Sequence, residues 1–147
     1  MCYAHSSRCI DSYAKQFARL DFVLEQPHKR IILEVDERQH KDASYEISCD
    51  LSRMCFVMSA ITCDENVRPT LWNRFNPNGF KVDSVSQRVS RKRKHERLLA
   101  LIQDTDHFEG TRIVYMYYDT QNNKPVICQD PSYDSTVLAM LCPPIVD

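Results

Sequence analysis

Asp21, Glu34 and Asp36 are three acids on two short runs of strand-forming residues, Leu20-Asp21-Phe22-Val23-Leu24 and Arg30-Ile31-Ile32-Leu33-Glu34-Val35-Asp36. Between the runs, Gln26-Pro27-His28-Lys29 has the polarity and the proline of a turn, so the segment reads as a β-hairpin. Antiparallel pairing centred between Pro27 and His28 places Asp21 opposite Glu34, and the two-residue alternation of a strand puts Asp36 on the same face. The other face is apolar, with Leu20, Phe22 and Leu24 beside Ile31, Leu33 and Val35. Like charges directly across a strand pair repel, more strongly when shielded from water, so something must compensate. Convergent carboxylate oxygens suit a hard divalent cation, Mg2+ or Mn2+, which would neutralise the cluster and orient a phosphate for attack by water. Hydrolysis of a phosphodiester is the chemistry that follows. The competing reading makes the acids the solvated face and end of a half-buried strand, and a register shift would separate them.

The elements that must position these acids come from hydrophobic spacing. Residues 12–19 are expected to form a short helix with Tyr13 and Phe17 on its apolar side. Ile47, Leu51, Met54, Met58 and Ile61 recur in steps of four and three, which makes residues 42–62 a long helix with Asp42 as its N-cap. Pro69 blocks its continuation and opens a strand over residues 70–75, closed by the turn residues Asn76-Pro77-Asn78-Gly79. A second helix over residues 90–103 carries Leu98, Leu99 and Ile102 along one edge. Residues 113–118 form the next strand, followed by a polar turn at 119–123, a short strand at 126–128 and a packed tail over 137–147 broken by Pro143-Pro144.

Arg88, Arg91, Lys92, Arg93, Lys94 and Arg97 concentrate positive charge near the start of the second helix. Such a segment can neutralise several phosphates and bind DNA with steep salt dependence; as a bland alternative it is only solvated helix surface. Asn73, Arg74 and Asn76 could add phosphate or base contacts.

Bulk properties set few further limits. The 147 residues suit one α/β domain, its core about 12–118 with a short strand and tail to 147, burying roughly two-thirds of the unfolded surface. With 19 Lys+Arg against 20 Asp+Glu the formal charge is −1, so nucleic-acid affinity must come from local clustering. No apolar run approaches the ~18–20 residues of a membrane span and no signal peptide is visible, so a soluble, intracellular protein is expected. Seven cysteines without a C-x-x-C pair read as reduced, buried thiols. Cys2, His5 and Cys9 supply only three zinc-type ligands, one short of a closed structural site.

Arg19-Leu20-Asp21-Phe22, Ile31-Ile32-Leu33-Glu34-Val35-Asp36-Glu37-Arg38-Gln39-His40, Tyr45 with Cys49, Arg53 and Met54, and Arg74-Phe75-Asn76-Pro77 together resemble the PD-(D/E)xK restriction-endonuclease-like superfamily. The similarity is to its very-short-patch-repair and homing endonuclease branch and to related domains of large DNA viruses and algae. It spans about residues 19–80 and extends more loosely to Arg97-Leu98-Leu99 and to residues 115–118. The resemblance implies a central mixed β-sheet flanked by helices, and a metal held by Asp21, Glu34 and the backbone carbonyl of Val35. Asp36 would stand where many members carry lysine. His40 would position water or protonate the leaving oxygen, and Arg53 would contact the scissile phosphate or brace a carboxylate; Gln39 and Glu37 are supporting candidates. Spacing alone also allows a plain ion pair between Asp50 and Arg53, and a surface or capping role for His40. Two features depart from the superfamily pattern: the lysine is missing, and residues 1–20 contain no glutamate, Asp11 being the nearest substitute. The resemblance therefore implies a Mg2+- or Mn2+-dependent endodeoxyribonuclease; a nuclear or virion setting is one option for its location, and a homodimer one option for an assembly that the sequence leaves open. The alternative is a catalytically inactive nucleic-acid-binding or virion or chromatin component of the same fold. A third reading is a structural interaction domain.

Overall fold

In the computed structural model, which describes residues 19–40, 47–63, 67–133 and 135–147 but not the His40 side chain, β1 (Phe22–Glu25) and β2 (Arg30–Val35) form an antiparallel hairpin. Phe22 pairs with Leu33 and Glu25 with Arg30, which centres the turn between Pro27 and His28. One further step brings Asp21 opposite Glu34. The expected 12–19 helix, the Asp42 cap, Asp11 and the Cys2, His5 and Cys9 group fall outside the described residues.

β2 then runs parallel to β3 (Thr70–Phe75), and β3 parallel to β6 (Thr111–Met116), giving a sheet of order β1-β2-β3-β6. Parallel neighbours need long crossovers, and two helices lie within them: α1 (Ile47–Thr62) between β2 and β3, and α2 (Arg91–Gln103) between β3 and β6. Each covers its own face of the sheet. Leu51, Met54 and Val57 of α1 pack on Ile32, Trp72, Ile113 and Tyr115. Leu98, Leu101 and Ile102 of α2 pack on Ile31, Leu33, Leu71, Phe75, Val114 and Met116. A strand covered on both sides reads as a continuous apolar run, which explains Ile31-Ile32-Leu33. It also corrects the expectation of one apolar face and one acidic face, because Glu34 shares the α1 side with buried Ile32.

The second sheet has the order β5-β4-β7-β8, built from β4 (Phe80–Val82), β5 (Val85–Gln87), β7 (Thr120–Gln121) and β8 (Lys124–Pro125). Its two hairpins turn through Asp83-Ser84 and Asn122-Asn123, all four with positive φ, as the twist of tight hairpins requires. The expected strand over 126–128 is instead a short 3-10 turn, Val126–Gln129. Val126 N donates to Asp119 O at 2.8 Å, closing the hairpin, and the chain then turns so that Cys128 reaches the core under α1. β6 stops at Met116 because Tyr117 adopts φ 61; the reversal sends Tyr117 to the α2 side and Tyr118 to the α1 side.

Past α3 (Ser135–Ala139), the tail follows the outer edge of β6. Cys142 N donates to Ile113 O at 2.8 Å and Ile145 N to Tyr115 O at 3.1 Å, while Tyr117 N donates back to Ile145 O at 3.0 Å. Cys49 is disulfide-bonded, which corrects the expectation that every cysteine is a thiol; Cys63, Cys128 and Cys142 are thiols, and Cys63 is exposed. No helix among the described residues is long and apolar enough to cross a membrane. The architecture is α/β with two mixed sheets.

Candidate active site

The parallel register sets Glu34 beside Arg74 and Arg74 beside Tyr115, and neighbours in register point to the same side of a sheet. That side is the one covered by α1, where Asp50, Arg53, Met54 and Val57 recur at three- and four-residue spacing and so share one helix face. Acids and arginines therefore meet between sheet and helix.

Arg74 is fully buried at 0% exposure. Its Nε donates to Asp36 Oδ2 at 2.6 Å, its Nη1 pairs with Asp50 Oδ2, and its guanidinium lies 5.8 Å from the centre of the Tyr115 ring. Burial opposes the Arg74 charge, but Asp36 outweighs it and holds the guanidinium firmly protonated. The Tyr118 hydroxyl donates to the same Asp36 oxygen. Arg53 Nη2 donates to Glu34 Oε2 at 3.0 Å and to Asp50 Oδ1 at 3.1 Å, and its Nη1 donates to Arg19 O at 3.2 Å. The chain of partners runs Glu34, Arg53, Asp50, Arg74, Asp36, Tyr118.

Two polar atoms of this network are buried without a hydrogen-bond partner, Arg74 Nη2 and Glu34 Oε1. Glu34 is 3% exposed. Burial pushes its carboxyl above the ordinary 4.5; Arg53 and Arg74 oppose the rise, and the charges of Asp21 and Asp36 add to it. Asp21 is exposed, and its Oδ2 accepts from Val35 N at 2.8 Å. Asp21 and Glu34 are thus adjacent acids, one at the surface and one beneath it. Asp36 belongs to the Arg74 ion pair at 1% exposure. Among the described residues no group of three or more His, Cys, Asp or Glu side chains is arranged to hold a metal. The His40 side chain lies outside those residues.

The turn after β2, Glu37–His40, carries Arg38 and Gln39 at φ 56 and 58. Gln39 is buried and pairs twice with Asp119: its Nε2 donates to Asp119 Oδ1 at 2.9 Å, and its Oε1 accepts from Asp119 N at 2.7 Å.

The expected DNA-contacting set divides by burial. Arg74 cannot reach DNA, and Asn73 and Asn76 are also wholly buried, because β3 is covered on both faces. Asn76 Nδ2 donates to Tyr117 O at 2.7 Å. Lys94 is 3% exposed; its Nζ donates to Asn76 O at 3.2 Å and to Asn78 O, over the rings of Phe80 and Tyr117 at 5.1 and 4.7 Å. Burial pulls its amine down from 10.5 to about 8, while the carbonyls and ring faces favour the ammonium. Lys94 is therefore a clamp on the turn after β3 and not a phosphate ligand. Arg88, Arg91, Lys92, Arg93 and Arg97 remain exposed, and Arg93 and Arg97 reach Asp147 at 3.0 and 3.5 Å.

Sequence reasoning missed Arg74, Tyr115 and Tyr118 as partners of the acids. Alternation in the strand from Thr70 to Phe75 puts Arg74 on the side of Trp72, and a buried arginine needs buried acids. No protein-family model, curated protein or solved structure matches this chain.

Proposed function

We propose that this chain is a divalent-metal-dependent DNA endonuclease of the restriction-endonuclease-like type, with Asp21 and Glu34 as its metal-holding pair. The observation that carries the reading is Glu34 Oε1, a buried carboxylate oxygen with no partner in a network that satisfies its other oxygen. A buried unsatisfied polar atom costs stability unless something uses it, and here a second acid stands beside it. These two side chains fit a hard cation, which would supply charge neutralisation and a more acidic bound water. Arg53 braces Glu34 through Oε2 and leaves Oε1 open. Asp36, consumed by Arg74 and Tyr118, positions the strand end and is not the base. His40 is assigned the acid–base role, and the exposed cations of α2 grip the phosphate backbone. A non-catalytic DNA-binding module of the same architecture is the second reading, favoured by the engagement of Asp36 with Arg74 and Tyr118, which leaves two acids for a cation where three were expected.

Supercoiled plasmid incubated with Mg2+, Mn2+ or chelator separates the two, with thermal melts of the parent and Glu34→Gln run alongside. The parent should nick or cut DNA only with metal, and its melting temperature should rise on metal addition, by about 2.7 kcal/mol of linkage at a hundredfold excess over Kd. Glu34→Gln should abolish both effects. Without metal the variant should melt at or above the parent, because a carboxyl raised above 4.5 contributes stability below that pH and loses it as the pH rises through the raised value. The advantage of the amide is thus a neutral-pH effect that vanishes in acid. Equal metal responses in the two proteins would remove the metal site, and binding without cleavage would favour the second reading.

A further inference from the structure

We propose that the Glu37–His40 turn presents Arg38 to a phosphate of the substrate strand, and that Gln39 is the positioning residue that fixes it there; this rests on the endonuclease reading above. Arg38 and Gln39 are consecutive non-glycine residues in the left-handed region, a conformation that crowds the Cβ and that glycine or asparagine adopts more cheaply. Such strain persists only where the surroundings impose it.

Here they do. Gln39 is locked twice to Asp119, Arg38 N donates to Asn78 Oδ1 at 2.9 Å, and Asp119 Oδ1 also accepts from Lys81 N at 2.8 Å. The turn after β2 is thereby tied to the segments that follow β3 and β6, all at the carboxyl end of the parallel strands, where open α/β sheets bind ligands.

The lock leaves the Arg38 side chain outside. Arg53 and Arg74 are neutralised by acids, whereas Arg38 is exposed and makes no ion pair with a described residue. It lies two residues past Asp36 and four past Glu34. A guanidinium offers a planar fork that matches phosphate oxygens, so an exposed guanidinium in the turn that follows the Glu34 strand suits a phosphate flanking the scissile bond.

The test gives stability and binding opposite signs. Arg38→Gly removes the crowded Cβ, so its melting temperature should rise by roughly 2–4 °C. Its affinity for a fluorescein-labelled DNA duplex, measured by anisotropy in chelator, should fall about tenfold once one charge-assisted hydrogen bond is gone. The salt slope of binding should shrink by about 0.9. Arg38→Lys keeps the charge and the strain, and should melt like the parent with its slope retained. Gln39→Asn tolerates the backbone but is too short to hold both Asp119 atoms; Arg38→Gly added to it should cost little further affinity, whereas additive effects would overturn the positioning role. Parent-like binding and cleavage by Arg38→Gly would make the turn purely structural while leaving the endonuclease standing. A parent that neither binds nor cleaves DNA would sink both.

Discussion

Arg74 sits near the end of β3 under a helix, where desolvating a guanidinium costs several kcal/mol that only well-placed acids return. Asp36 and Asp50 supply that return, and each acid depends on Arg74 in turn. Arg74→Met should therefore destabilise the protein by about 3–5 kcal/mol, the usual consequence of breaking a buried pair from one side, read as a lower urea midpoint with an unchanged m-value. A loss below about 1 kcal/mol would place the pair among weak surface contacts. The sequence displayed the acids openly, because spacing and a proline turn expose a hairpin. It hid their partners, because the pairing of Glu34 with Arg74 crosses a parallel register that no local pattern encodes. Arg74, beside Asn73 and Asn76, looks like a polar rim until β3 is seen to be central.

At the scale of the element, α2 divides its cations by helical phase. Lys94 faces inward to clamp the turn after β3, while Arg91, Lys92 and Arg93 face solvent. Replacing those three exposed residues with alanine should weaken DNA binding at every sequence and flatten its salt dependence by roughly 0.9 for each phosphate no longer neutralised, at an unchanged melting temperature. Lys94→Ala should do the reverse, lowering the melting temperature and sparing the salt slope; the opposite pattern would mean that the helix phase is misassigned. Helix and strand placements were largely legible here: residues 70–75 coincide with β3, and Ser90, expected as the first residue of the second helix, caps α2 by accepting from Arg93 N at 3.2 Å. The β4–β5 hairpin escaped notice because Asp83-Ser84 lacks the Asn-Gly signature of a tight turn.

For the molecule as a whole, the two outer strands of the larger sheet differ. The tail hydrogen-bonds along β6, whereas among the described residues nothing pairs with the outer edge of β1, where Phe22 and Val23 are exposed. Removing residues 140–147 should uncover the β6 edge and drive concentration-dependent association, visible by size-exclusion chromatography with light scattering; a truncated chain that stays monomeric would show the tail to be dispensable as a cover. With the tail in place, the described residues give the larger sheet a valence of one. A particle with two sticky sides polymerises without limit, but one with a single sticky side can only find a mate and stop. Association through this sheet alone would therefore give pairs and not fibres, and removing the tail would turn a chain terminator into a monomer for growth.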